Sequence, residues 1–245
     1  MPYINHDIRN TLYFLFLSDT NKFLILINLK EKMENIAIAK NYIRVRYSFF
    51  KWRYNLTFVK KITLALGMAC VTGIFAQIKV VVPWTPVPIT GQTFAVLLAG
   101  VLLGRWWGGA SQVIYIILGL AGIPWFAGFA GGLGELAGPS GGYIVGFILA
   151  ALFLGYFTDK YIKARNFLPI LGLMLFANFV LIYIPGLLQL GLWFYIAEGT
   201  RLTLWKIVSL GTIPFLAGDI FKIAIAAALA KAITPREAYN NEADA

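Results

Sequence analysis

Six apolar stretches, separated by turns and by two longer loops, follow one another from Ile62 towards the end of the chain. They occupy about residues 62–82, 92–104, 108–124, 141–158, 167–195 and 205–233. Apolar runs of this kind predict helices that cross a bilayer rather than strands. Pro83 ends the first stretch, and Arg105 marks the turn between the second and third. The fifth is longer than one crossing needs. Ile184-Pro185-Gly186 predicts a break in it, with the remainder lying at the interface or re-entering the membrane. Several stretches are short and rich in Gly and Pro, which leaves room for irregular backbone around a cavity. The expected fold is all-α: an integral membrane bundle of six transmembrane helices spanning residues 58–234, with a polar C-terminal tail over 235–245.

Residues 1–57 read differently. Two apolar patches, Leu12–Leu17 and Phe23–Ile27, are too short to cross a membrane and are separated by polar residues. Basic charge follows them, and no small-residue cleavage site is evident, so a signal peptide fits poorly. The expectation is an extension that is poorly ordered or lies on the membrane surface, with Met33 as an alternative start.

Composition supports the membrane reading. The chain of 245 residues is 59% hydrophobic and 13% charged, against roughly 25% charged for soluble domains. A single cysteine, Cys70, and a single histidine, His6, leave no disulfide framework, no histidine or cysteine metal site and no histidine-based catalysis. The net charge of +10 is concentrated: residues 30–61 hold nine Lys/Arg against Glu31 and Glu34. A basic run before an apolar span marks a cytoplasmic flank near anionic lipid rather than a nucleic-acid site. Lys60, Lys61, Arg105, Lys160, Lys163, Arg165, Lys231 and Arg236 fall on one side, and Lys79, Arg201 and Lys206 on the other. Both termini are therefore expected in the cytoplasm, with the loops Val82–Gln92 and Ile123–Ser140 facing outward.

The strongest chemical signal is a pair of opposite charges in the last apolar stretch. Asp219 and Lys222, at i and i+3, share one helix face. Each charge at bilayer depth costs roughly 2.5–3.5 kcal/mol on insertion scales, so such residues face a bundle interior or a polar cavity. An acceptor beside a donor suits a small polar ligand carrying both hydrogen-bonding types. The competing reading is a pair that only ties helices together. Asn178 either bonds a neighbouring helix or presents its amide to a ligand, and Tyr183 follows five residues later. Tyr143 stands at the outer end of the fourth span, where an interface anchor is the plainer role. Gln92 begins the second span, where a cap is the plainer role. The loop around GIPWFAGFAGGLGELAGPSGGY is long and apolar. It reads as a lid that excludes water from a site, or as a loop resting on the bilayer through Trp125 and Phe126. Ala65 and Ala69 let another helix approach closely, within the chain or from a partner. No phosphate-binding loop and no catalytic carboxylate pair is present, so uphill movement of a substrate needs an ion gradient or other subunits.

The run VPITGQTFAVLLAGVLLGRWWGGASQ, the loop GIPWFAG, and the segments GPSGGYIVGFILAALFLGY, FANFVLIY and AGDIFKIAIAAALA together resemble the BioY family. These are the biotin-specific S components of energy-coupling-factor (ECF) vitamin transporters. The resemblance covers about residues 58–234, in order. It implies a six-helix bundle of the ECF S-component type in a bacterial cytoplasmic membrane, binding biotin from the outer side. It implies a transmembrane T component and a cytoplasmic ATPase pair as partners, with ATP hydrolysed only there and no cofactor on this chain. The implied ligand residues are Asp219, Lys222, Asn178, Tyr143, Gln92, Trp125, Phe126 and Tyr183, with Trp84 as a further aromatic. Lys222 and Lys79 are both candidates for the biotin carboxylate. Ala65 and Ala69 are implied to dock on the T component. Rival readings are an S component for another vitamin, an intramembrane acid–base enzyme, and a structural membrane protein.

Overall fold

A computed structural model describes residues 5–244, with side chains described from residue 30 onward. His6 and the two N-terminal apolar patches lie outside the described side chains. The chain divides into two units, Met1–Arg46 and Tyr47–Ala245. Helix α1 covers Asn5–Tyr54. In the first unit, residues 30–45 are exposed throughout. The second unit begins ten residues before the boundary expected at 57, because Phe50 and Arg53 are already buried within it.

Five helical stretches of this second unit are long and apolar enough to cross a membrane. Helix α2 spans Phe58–Ala76, and a short antiparallel pair follows, β1 (Lys79–Val80) with β2 (Ile89–Thr90). Helix α3 covers Gln92–Leu120 but is interrupted at Gly104, where φ is 78° and ψ −179°. Glycine alone tolerates that conformation readily, and a Cβ there would strike the Asp159 carboxylate. Gly108 lies against Ala99 and Gly100. Eight residues along a straight helix are about 12 Å apart, so the chain doubles back at Gly104. The two arms are the helices expected at 92–104 and 108–124, and the turn falls one residue before Arg105.

Helix α4 (Leu133–Ala137) lies in the second long loop, and α5 (Gly141–Lys160) packs in the groove of the α3 hairpin. Small residues make that approach possible: a Cβ on Gly100 would meet the backbone of Ala151 and Gly155. The buried core runs from this seam, through Leu97, Val101, Tyr115, Phe147 and Leu154, to Ile170 and Met174.

The last two stretches depart from expectation. The break expected at Ile184-Pro185-Gly186 does not occur. Helix α6 (Phe167–Phe176) leads through a π-helical segment, Ala177–Ile182, straight into α7 (Tyr183–Ala197). Proline lacks an N–H and crowds the carbonyl four residues back. The widened turn just before Pro185 absorbs that misfit without ending the helix. The stretch expected as one helix over 205–233 is instead divided. Helix α8 (Leu204–Gly211) and a 3-10 turn at Ile213–Phe215, with Pro214 in it, precede α9 (Leu216–Ile233).

Ala65 and Ala69 are fully buried, on the same stripe of α2 as Met68, Thr72 and Gly73. That stripe faces α3: Met68 clusters with Ala95 and Ala99, and Gln112 of α3 donates to the Thr72 hydroxyl. The two alanines therefore serve packing within the chain. The reading that presents them to a docking partner is corrected by that burial. The exposed side of α2 is instead Ile62, Leu66, Val71 and Ile74.

At the basic end the tail is clasped. Arg165, 3% exposed, donates to the carbonyls of Thr158, Pro235 and Glu237 and pairs with Glu242 at 2.7 Å. Burial works against the Glu242 carboxylate. The Arg165 guanidinium and the amides of Tyr239 and Asn240 outweigh it and hold that carboxyl below the usual range. Burial pushes the Tyr239 phenol up. Its hydroxyl donates to Asp159, which also pairs with Arg53 at 2.7 Å.

Candidate functional site

Discontinuous helix builds the site. The bend at Gly211–Phe215 starts α9 anew inside the apolar region and puts Asp219 in its first turn. There the unpaired amides of a helix N-terminus favour a negative charge. Asp219 is 3% exposed. Its Oδ2 accepts from Asn178 Nδ2 at 2.8 Å and from the Tyr183 hydroxyl at 2.6 Å. Its Oδ1 meets Lys222 Nζ at 2.5 Å.

The π-helical segment explains how Asn178 and Tyr183 reach one carboxylate. In a regular α-helix, residues five apart point about 140° away from each other. The wider turn of Ala177–Ile182 closes i to i+5 and brings both to the same side.

Lys222 has a second bond, donating to the carbonyl of Thr90 at 2.8 Å. The charge pair is thereby tied to β2. Thr90 in turn donates through its hydroxyl to Gln92 Oε1 at 2.8 Å, and Gln92 Nε2 donates to the Tyr115 hydroxyl at 2.6 Å. Tyr143 is held from the other side: its hydroxyl donates to the Gly211 carbonyl at 2.8 Å, at the bend before α9. Its ring lies flat on Gly186, where any Cβ would collide with it.

These groups surround a cavity of about 320 Å³, the lower end of the range for small-molecule sites. Asp219, Lys222, Tyr143, Tyr183, Gln92 and Phe126 line it. Asn178 does not reach the wall and acts through Asp219. Trp125 is also absent from the wall. It packs on Gly73, and its indole N–H donates to the Tyr115 carbonyl at 2.9 Å. Trp84 is exposed and likewise does not line the cavity. Lys79 does line it.

Both long loops close over the space. Pro86, Val87 and Pro88 come from the first, and Phe126, Glu135 and Ser140 from the second. Thr85 anchors the first loop by donating to the Leu210 carbonyl at 2.8 Å. Gln77 anchors the second, donating to the Phe126 carbonyl at 3.1 Å and accepting from the Phe129 amide at 2.9 Å. A lid over a cavity, rather than a loop spread on the bilayer, describes these contacts.

Sequence reasoning missed Phe147 and Phe215 in the wall, where Thr93, next to Gln92 at the start of α3, also lies. Phe147 sits one turn after Tyr143 on α5, so helical spacing would have found it. Thr93 is more telling. Its buried hydroxyl and the Oδ1 of Asn178 have no hydrogen-bond partner among the described residues, and buried polar atoms left so are uncommon. No group of three or more His, Cys, Asp or Glu able to hold a metal occurs among the described residues.

The BioY family model matches residues 44–238. The chain belongs to the BioY family. A probable biotin transporter BioY of Methanothermobacter thermautotrophicus is 57% identical over 147 residues, covering 60% of this chain and 94% of that protein. The biotin transporter BioY of Thermotoga maritima is 36% identical over 163 residues, covering 64% of this chain and 90% of that protein. Among solved structures, the S-component for biotin from an ECF-type ABC transporter superposes with a TM-score of 0.62 at 25% identity. That match covers 72% of this chain and 93% of the other. The BioY match begins at residue 44, close to where the compact unit begins.

Proposed function

We propose that this chain is the biotin-binding membrane subunit of an ECF-type transporter. The observation that carries the reading is the buried Asp219–Lys222 pair on the wall of a cavity roofed by two loops. Biotin's ureido ring has N–H donors and a carbonyl acceptor on adjacent atoms. Asp219 accepts from a ureido N–H, and Lys222 donates to the ureido carbonyl. Asn178, behind the wall, and Tyr183, on it, hold the Asp219 carboxylate in orientation through Oδ2. Phe126, Tyr143, Phe147 and Phe215 enclose the thioether ring and its carbon skeleton. Lys222 is committed to Asp219 and Thr90, whereas Lys79 at the wall forms no ion pair among the described residues. Lys79 therefore takes the valerate carboxylate.

Biotin enters from the outer side, because the loops that roof the cavity lie at the end opposite the Lys/Arg-rich turns. The chain sits in the cytoplasmic membrane and works with a T component and an ATPase pair. No cofactor is needed on this chain. Equilibrium binding to detergent-purified protein tests the reading, with thiamine and riboflavin as controls. Saturable, biotin-selective binding at one site per chain is the expected result. A folded sample that binds none of the three overturns it.

A further inference from the structure

The basic end of the unit spanning Tyr47–Ala245 holds a separate cavity of about 150 Å³, smaller than the one beside Asp219. Arg53 of α1, Lys61 of α2, Asp159 of α5 and Arg105, Trp106 and Trp107 of the α3 turn contribute to its wall. Two of these charges cancel. Arg53 and Asp159 pair at 2.7 Å, and Arg53 also donates to the Leu102 carbonyl at 3.0 Å. Asp159 accepts from the Arg105 amide at 3.1 Å as well. The backbone under the cavity is thereby fixed. Lys61 and Arg105 are left over: neither forms an ion pair among the described residues. Their charges rest on aromatic faces, Arg105 over Trp106 at 4.5 Å and Lys61 over Tyr54 at 5.9 Å. A guanidinium stacked in this way keeps its N–H edge free for an oxyanion.

The rim is apolar. Trp106 of the wall is 68% exposed, and Phe58, equally exposed, meets Trp107 of the wall edge-on at 5.5 Å. From the rim the exposed side of α2 leads away through Ile62, Leu66 and Ile74. Two uncommitted cations in a cavity, an aromatic rim and an apolar track beginning there match an amphiphile with an anionic head.

We propose that this cavity binds the phosphate of an anionic phospholipid head group, with Lys61 and Arg105 as its cations and the acyl chains along α2. A free phosphate satisfies the cations but leaves the apolar rim and track uncovered, so the lipid is the better fit. Basic residues near a membrane surface are each worth about 1 kcal/mol of attraction to anionic lipid, roughly a fivefold change in affinity per residue.

The test measures lipid retention by native mass spectrometry of the full chain released from micelles. The micelles are doped with phosphatidylglycerol or phosphatidylcholine, and inorganic phosphate is added alone in a third arm. Phosphatidylglycerol is expected to be retained and to raise the thermal midpoint, with the other two arms giving neither. The variant carrying Lys61→Gln and Arg105→Gln is expected to lose at least tenfold of that retention while binding biotin as the parent does. Those two residues lie outside the larger cavity, so ligand binding reports on folding. Equal retention of both lipids, or unchanged retention by a folded variant, overturns the proposal. So does a stabilisation that inorganic phosphate alone reproduces. If the variant keeps its lipid but sheds a co-purifying protein, the patch is a protein contact and the lipid assignment is wrong.

Discussion

Two buried charge networks lie at opposite ends of the same helices, and they differ in how completely they are closed. The clasp around Arg165 has its guanidinium surrounded by carbonyls and the Glu242 carboxylate. The network around Asp219 borders a cavity, and on its wall the buried Thr93 hydroxyl has no hydrogen-bond partner among the described residues. Burial of charge is common to both and so does not single out a site. The Asp219 network differs in that its charged groups open onto a cavity, whereas unpartnered polar atoms alone, such as Gln112 Oε1 and the Thr212 hydroxyl, also occur away from it.

Substitutions sharpen this contrast. Replacing Asp219 by Asn is expected to weaken biotin binding more than about 100-fold, the scale for truncating one member of a buried charge pair. It also leaves Lys222 uncompensated, at a cost of about 3–5 kcal/mol in stability. Adding Lys222→Met to that variant should recover most of the thermal midpoint without recovering binding. A double variant that still binds biotin tightly would show that the pair is structural, like the clasp.

Arg165→Met makes the opposite prediction. Glu242 is left buried and unpaired, so stability falls by about 3–5 kcal/mol, while biotin affinity of the folded fraction stays within about twofold of the parent. Calorimetry of binding next to thermal unfolding separates the two effects. Tyr183→Phe removes one bond to the Asp219 carboxylate. Hydrogen bonds to charged groups contribute about 1.5–3 kcal/mol, so affinity should fall on the order of tenfold or more with little loss of fold.

Acid acts on the clasp with a defined sign. Glu242 is held below its ordinary value of 4.5 in the folded chain. Its contribution is therefore fully present above that value and is lost as pH falls through the lower, folded value. Hydrogen exchange of residues 235–244 should rise only in that acid window. Protection that instead falls between neutral pH and 5 would contradict the assignment. The smallest effect is expected from removing residues 1–32: biotin affinity should be unchanged, since the residues lining the cavity, from Lys79 to Lys222, all belong to the unit Tyr47–Ala245.

Much of this was readable from the chain itself. Asp219 and Lys222 stood out because charge is costly in an apolar helix, and that cost does not depend on the details of packing. The hairpin arms of α3 were readable because apolar runs and a charged turn are local signals. The face of α2 was not: Ala65 and Ala69 look equally suited to a neighbour in the chain or in another subunit, and only the position of α3 decides. Trp125 was misplaced for a related reason. An aromatic ring in a glycine-rich loop has no periodicity to show which way it points, and here it turns towards Gly73. Proline at 185 signalled an irregularity but not its location, because the misfit is accommodated upstream in the preceding turn.

That upstream accommodation makes the site depend on a count. The segment Ala177–Ile182 holds its helix one residue out of step with a regular spiral. Were the same residues wound as a regular α-helix, with none removed, everything downstream would swing by about 100°. Tyr183 would leave Asp219, and Gly186 would leave the ring of Tyr143, in the same stroke. The pocket therefore depends on how one turn is wound as much as on which side chains line it.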